Sequence, residues 1–283
     1  MISAKRIRKL RTAHGRKKEG AFLVETHKLV ADALGSGWKP DVLICPRGRQ
    51  KEFSERLTQD LSRFSGLDPE GLLSELFWQE WEEKEFLELS QMDHPDGLFA
   101  VFRGRLAENW SETGETFPDE EKRIKSSCKK ALPDPKILLL DGLQDPGNVG
   151  TVLRSAEAFG VHTVMSWNTV DYENMKVLRA SMGACFRLRL VEGKAEEILP
   201  DLKRRGYCLL GADMEGTPLF QYDFSNPAML VIGNEGNGLS TYVREQVDRV
   251  LSIPMEGAGE SLNAAASAVV FLYEWNRPSG RGK

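Results

Sequence analysis

Apolar positions fall into two regimes along the chain. From about residue 136 onward, short runs that are apolar throughout alternate with stretches whose apolar residues recur every three or four positions. The runs KILLLDGL, VHTVMSW, YCLLGADM, PAMLVIG and RVLSIPM read as strands with no polar face. VGTVLRSAEAFG, YENMKVLRASMG, AEEILPDLKRRG, LSTYVREQVD and SLNAAASAVVFLYEWNR read as helices, the first two closed by Gly160 and Gly183. Strands apolar on both faces, separated by helices, predict an α/β domain with a parallel sheet covered on both sides. Before residue 107 the pattern is looser. In EGAFLVETHKLVADALGSG an apolar run passes into helical spacing at Leu29, Val30, Ala33 and Leu34, stopped by Gly35. KPDVLICP reads as a short buried strand and DGLFAVFRG as a closing one, with acidic helices expected over residues 51 to 90. The sum is a small βαβ-like α/β domain. Between the two regimes, residues 107 to 135 are polar, charged and broken by Pro118, Pro133 and Pro135. Such a stretch buries too little surface to order itself and reads as a linker or long surface excursion. The expected organisation is therefore 1–106, a linker over 107–135, and 136–283.

Composition adds bounds to this picture. The 283 residues are 41% hydrophobic and 28% charged, ample for two packed domains. No apolar run approaches the roughly 20 residues that span a bilayer, so no membrane partner is expected. MISAKRIRKLRTAHGRKKEG has basic residues but no apolar stretch behind them, unlike a secretory signal. Cys45, Cys128, Cys185 and Cys208, and His14, His27, His94 and His162, are scattered without ligand spacing. No metal site or disulfide framework is expected, and a reducing cytoplasmic setting fits. The formal charge of −4 hides an asymmetry. Residues 1 to 28 hold nine Lys/Arg against Glu19 and Glu25, whereas residues 51 to 88 hold eleven Asp/Glu against four Lys/Arg. A basic cluster on an acidic chain reads either as a solvated helix face or as a surface for a polyanion.

Ligands of open parallel sheets collect at the carboxyl ends of strands. Three loops leave such ends: DGLQDPGNVG (141–150), GNEGNGLS (233–240) and IPMEGAGESLN (253–263). All are rich in Gly, Asn and Ser, so the backbone itself can approach a ligand. None reads G-x-x-x-x-G-K-[ST], none supplies G-x-G-x-x-G in the first strand-turn-helix unit, and G-x-S-x-G is absent. A ligand gripped by its phosphates and a serine nucleophile are both disfavoured.

DPGNVGTVLRSAEAFG, LVIGNEGNGLS and IPMEGAGESLNAAASAVVFLYE resemble, in order and spacing, the three signature motifs of the SpoU (TrmH) family of RNA ribose 2′-O-methyltransferases, within the SPOUT superfamily. RASMGACFRL is similar to the stretch between the first two motifs. The resemblance covers residues 136 to about 277. RKLRTAHGRKKEGAFLVETHKLVADAL is similar to the small ribosomal-protein-like RNA-binding domain that often precedes the SpoU domain, although Glu25-Thr26 stands where that pattern reads Glu-Gly. The acidic stretch over 51 to 90 is also longer than in that pattern. The resemblance implies a SPOUT parallel sheet whose C-terminal part forms a trefoil knot, an exception to unknotted chains. It implies S-adenosylmethionine as methyl donor, rRNA or tRNA as substrate, and a homodimer. It places the donor against the backbone of Gly233, Ile253 and Leu262, with Asn234 and Gly238 in the same loop.

Each candidate has two readings. Asn148 caps the helix that follows or bonds to a ribose. Arg154 pairs with Glu157 on its own helix, or holds the phosphate beside a target ribose and steadies a developing alkoxide. The matching arginine of the family is regarded as catalytic, often as the base. Glu235 accepts loop N–H groups or acts in catalysis. Ser261 and Asn263 cap the last helix or face ribose and donor, with the family match favouring function for Asn263. Ala264, Ala265, Ala266 and Ala268 make that helix narrow, for plain core packing or for close approach to donor or partner. Phosphate contacts are expected from Arg16, Lys17 and Lys18, with Lys5, Arg6 and Lys9 behind them. Competing readings are a catalytically silent RNA-binding or ribosome-assembly factor, a SPOUT base methyltransferase and, last, a nicotinamide dehydrogenase.

Overall fold

A computed structural model describes residues 1–90, 92, 94–113, 134–257 and 261–277. Its contacts divide the chain into two units: Met1–Leu106 with Asp171–Arg187, and Ala107–Val170 with Leu188–Lys283. Residues 114–133, most of the expected linker, lie outside the described residues.

The first unit is built on a four-stranded mixed sheet. Its spatial order is β1 (Ala21–Glu25), β4 (Phe99–Arg103), β2 (Pro40–Pro46), β3 (Trp78–Trp81), with β4 antiparallel to β1 and β2 and β3 parallel to β2. Helices α1 (Ala4–Leu10), α2 (Ala13–Glu19), α3 (His27–Gly35), α4 (Gln50–Leu61), α5 (Pro69–Ser74) and α6 (Glu83–Leu89) complete the run to residue 106. One core joins Ile7 and Leu10 of α1, Leu23, Ile44, Phe86, Phe99 and Val101. The stretch from 51 to 90 carries helices as expected, α4, α5 and α6, joined by turns, and Trp78–Trp81 within it pairs as a strand. Four residues are too few to display an alternation.

At Thr26, where the pattern reads Glu-Gly, the backbone keeps a conformation suited to glycine. Its φ of 99° and ψ of 139° lie where glycine is at ease and a β-branched residue is strained, a cost of about 1–3 kcal/mol. The position is held from both sides. The Thr26 N–H donates to Leu98 O at 3.1 Å, and its hydroxyl accepts from Leu29 N at 3.3 Å, capping α3.

The second unit carries seven strands, all parallel, in the order β11 (Arg249–Ser252), β9 (Cys208–Pro218), β10 (Ala228–Ile232), β6 (Lys136–Asp141), β7 (Thr163–Trp167), β8 (Arg189–Glu192), β5 (Ala107–Asn109). Ile137 through Leu140 and Met229 through Val231 are fully buried, which is why these runs carry no polar alternation. Helices α7 (Trp110–Thr113), α8 (Pro146–Ala158), α10 (Ala195–Arg204), α11 (Thr241–Gln246) and α12 (Ala264–Asn276) accompany the sheet. Two boundaries differ from the sequence reading. Ala107–Asn109, inside the expected linker, forms the edge strand beside β8. Residues 171–187, which include α9 (Met175–Ser181), group with the first unit, where Met175 enters the core and Glu173 Oε1 accepts from Leu106 N at 2.7 Å.

β9 outruns the expected strand. Its register against β11 jumps from Gly211 opposite Val250 to Thr217 opposite Leu251, so residues 212–216 stand off the ladder.

Candidate functional site

β6 continues to β7 on one side of the sheet, while β10 and β9 lie on its other side. The order therefore reverses between β6 and β10, and the loops leaving their carboxyl ends diverge around a crevice. The loop after β6 enters α8 through Asp145, whose Oδ1 accepts from Asn148 N at 2.7 Å, with Pro146 in the first turn. Asp145 is thus the cap, and the Asn148 side chain is free for other work.

That side chain joins the loops. Asn148 Nδ2 donates to Glu235 Oε1 at 3.0 Å, and Asn148 Oδ1 accepts from Asn263 Nδ2 at 3.0 Å. Asn263 Oδ1 in turn accepts from Ala265 N at 2.9 Å and Ala266 N at 3.2 Å, capping α12. Every amide orientation in this chain is forced. An ionised carboxylate only accepts and a helix N-terminus only donates, so neither Asn can be reversed without losing a bond. Glu235 also receives Asp145 N at 3.4 Å and Asn234 Nδ2 at 3.3 Å. Asn263 is therefore both cap and bridge, and Glu235 is an acceptor hub for two loops.

The loop after β10 closes on itself. Asn234 and Gly238 exchange backbone bonds of 2.8 and 3.0 Å, while Asn234 Oδ1 accepts from Gly236 N and Asn237 N. Asn234 Nδ2 donates to Gly142 O at 2.8 Å, tying this loop to the one after β6. Glycine is required at Gly233, where an added Cβ would sit 2.3 Å from the Gly238 carbonyl carbon. A second tie lies beneath: Ser240 N donates to Asp141 Oδ2 at 2.7 Å. Burial raises the pKa of the Asp141 carboxyl, and this hydrogen bond partly offsets the rise.

Beside these ties lies a cleft of about 260 Å³. Gly233 to Gly238 form one side and Ile253, Ser261 and Leu262 another, with Ala264, Ser267 and Phe271 of α12 contributing. The structure thus brings Gly233, Asn234, Glu235, Gly238, Ile253, Ser261 and Leu262 to one cleft, and connects Asn148 and Asn263 to it through Glu235. Arg154 is exposed on α8 and, among the described residues, pairs with no acid; the alternative partner Glu157 does not claim it. Ser261 is exposed and caps nothing. Ala264, Ala265 and Ala268 are buried and Ala266 is exposed.

Sequence reasoning missed a further wall, formed by Ala212, Asp213 and Met214 from the excursion of β9 and by Arg244 of α11. Asp213 stands at the carboxyl end of the expected strand YCLLGADM, a positional signal present without any glycine-rich motif.

The basic N-terminus divides. Arg16 is corrected as a phosphate contact: only 7% exposed, its guanidinium clasps Asp171 at 2.7, 2.8 and 3.0 Å and donates to Leu10 O at 2.9 Å. Arg6 and Lys9 both pair with Glu19, at 3.1 and 2.9 Å, and the bond from Lys9 is the main reason the Glu19 carboxyl is shifted down. Lys5, Lys17 and Lys18 are exposed and, among the described residues, have no acidic partner.

Comparison with known proteins fits this geometry. The model of the SpoU rRNA Methylase family matches residues 135–273, and that of the MRM3-like substrate binding domain matches residues 3–100. The 23S rRNA (guanosine(2553)-2′-O)-methyltransferase RlmP of Bacillus subtilis is 29% identical over 268 residues, 94% of this chain and 92% of that protein. The 23S rRNA (uridine(2479)-2′-O)-methyltransferase of Streptomyces viridochromogenes is 38% identical over 154 residues, 51% of this chain and 54% of that protein. Among solved structures, a TrmH-family protein of Porphyromonas gingivalis is 30% identical with a TM-score of 0.71, over 97% of this chain and 98% of that one. The SpoU methyltransferase AviRb from Streptomyces viridochromogenes, in complex with AdoMet, is 26% identical with a TM-score of 0.77, over 97% and 96%. With three loops meeting as the motifs require and both parts of the chain matched, this protein belongs to the SpoU rRNA methylase family.

Proposed function

We propose that the protein transfers a methyl group from S-adenosylmethionine to a ribose 2′-hydroxyl of ribosomal RNA. The observation that carries this reading is the bridge Glu235–Asn148–Asn263, which fastens three strand-end loops around one cleft. The cleft suits the donor. At Gly233 the absence of a side chain brings two stretches of backbone together, offering peptide groups to an adenosine. Ile232, Ile253, Leu262 and Phe271 supply apolar contact, and Glu235 and Asp213 against Arg244 leave a net negative lining for a cation. When bound, S-adenosylmethionine supplies a methyl group on a positively charged sulfur.

The chain's own task is alignment, which in well-oriented reactions is worth roughly 7–11 kcal/mol of barrier. Arg154 matches the anionic phosphate beside a target ribose with its planar fork. A guanidinium stays protonated in proteins, so Arg154 orients the sugar and steadies the developing alkoxide and does not act as base. Lys5, Lys17 and Lys18 offer charge to the RNA backbone. Ribosomal RNA is favoured over transfer RNA because the relative matched along nearly its whole length is named for a 23S rRNA position. A homodimer and a cytoplasmic setting belong to the same reading.

The test is methylation of unmodified ribosomal RNA with labelled donor, followed by mapping of the product. A 2′-O-methyl group on 23S rRNA is expected. Arg154→Lys keeps the charge but not the fork, and should lower kcat about 100-fold, the scale of a misaligned reactant. Label on a base, or on transfer RNA alone, would overturn the reading, and near-full turnover by Arg154→Lys would remove the role given to Arg154.

A further inference from the structure

The wall formed by Asp213 and Arg244 belongs to none of the three motif loops. Residues 212–216 leave the ladder between β9 and β11, and Gly216 makes the excursion possible, since a Cβ there would lie 2.5 Å from Val250 O. The excursion is tied down at its far end by Ser252 Oγ donating to Gly216 O at 3.0 Å. At its cleft end Asp213 is ion-paired with Arg244, the carboxylate largely buried at 12% exposure and the guanidinium half exposed at 52%. Asp213 Oδ1 accepts from Met214 N at 2.7 Å and weakly from Glu215 N at 3.4 Å. Three donors thus aim the carboxylate, yet its two oxygens offer about four lone-pair sites. The same oxygen that meets Arg244 stands 3.9 Å from where a Cβ of Gly238 would be, against the loop to which the proposed function gives the adenosine.

We propose that Asp213 accepts a hydroxyl of the donor's ribose, and that Arg244 is a positioning residue that holds the Asp213 carboxylate aimed. The inference rests on the reading of this cleft as the S-adenosylmethionine site. The pair is neutral as a unit, so it attracts neither the ammonium nor the carboxylate of the donor's amino-acid end strongly. A neutral hydroxyl needing a strong acceptor is the group it suits. An acidic side chain at the carboxyl end of a parallel strand meets ribose in the same way in dinucleotide-binding sheets.

The experiment is calorimetric binding to the full chain of three kinds of ligand: S-adenosylhomocysteine, 5′-methylthioadenosine, which lacks the amino-acid end, and the deoxyribose analogues of 5′-methylthioadenosine. Asp213→Asn, which preserves shape, should weaken 5′-methylthioadenosine about tenfold, the effect of losing one charge-assisted bond. At least one deoxyribose analogue should bind wild type and Asp213→Asn equally. Arg244→Ala should weaken 5′-methylthioadenosine less than Asp213→Asn, and Arg244→Lys should recover part of the loss; melting curves confirm that each variant is folded. Equal losses for ribose and all deoxyribose ligands would overturn the hydroxyl contact. A loss confined to S-adenosylhomocysteine would assign the pair to the amino-acid end instead, also overturning it. If wild type binds none of the three, the donor site itself is misplaced and the inference falls with it.

Discussion

Asn148 shows how one side chain can carry more than its local context suggests. Four residues into DPGN it looks like a cap, yet Asp145 takes that role and leaves the Asn148 amide to join Glu235 and Asn263. An amide can do this because it donates on one side and accepts on the other; a carboxylate or an ammonium in its place would lose one of the two bonds. Asp141 is the complementary case, a carboxylate whose burial works against its charge. Because its folded pKa is raised above the ordinary 3.8, its stabilising contribution is complete below that value. It is lost as pH rises through the folded value. Asp141→Asn cannot ionise. The difference in stability between this variant and wild type should therefore shift in favour of asparagine as pH rises from about 4 to 7. Paired thermal melts across that range check it, and parallel curves would refute the burial argument.

At the scale of the element, α2 sorts its basic residues by face. Gly15 and Arg16 are buried while Lys17 and Lys18 are exposed, so neighbouring cations in one run have unrelated tasks. Arg16 and Asp171 form a largely buried, bidentate pair, and removing one partner from such a pair costs about 3 kcal/mol. Arg16→Ala should lower stability while leaving the salt dependence of RNA binding unchanged. Lys17→Ala with Lys18→Ala should do the reverse, flattening the slope of log K against log salt by roughly 0.7–0.9 per lysine with little effect on melting. Filter binding over a salt series, alongside denaturant titration, separates the two; a slope that survives loss of both lysines would reject their phosphate contacts.

For the molecule as a whole, the outer face of α12 bears on assembly. Ala266, Val270 and Tyr273 recur at helical spacing and are exposed, with Val270 at 39% and Tyr273 at 60%, and Phe159 meets Tyr273 edge to face at 6.1 Å. An apolar stripe left in water on a well-packed unit is suited to a second copy of the chain. Sedimentation should give a dimer, and Val270→Glu should shift it towards monomer without unfolding it. A wild-type monomer at micromolar concentration would remove the homodimer from the proposed function.

The α/β class, the run of buried strands, the helices between them and the three cleft loops were written in local patterns. Buried parallel strands must be apolar on both faces, and loops that approach a ligand by their backbone must be rich in glycine. The three loops could be located for that reason, whereas Gly233, Ile253 and Leu262 within them were named through the resemblance of their motifs to the SpoU family. Local pattern could not tell that Arg16 faces Asp171, 155 residues away, or that Asp145 and not Asn148 caps α8. Nor could it foresee that Trp78–Trp81 pairs as a strand or that residues 171–187 pack with the first unit. Asp213 came to the cleft, beside Arg244 of α11, only because β9 leaves its ladder against β11, a bulge that Gly216 permits but that exists only once the two strands pair. Periodicity reports which side of an element avoids water. Which partner a polar group finds is a long-range outcome, fixed only when the elements pack.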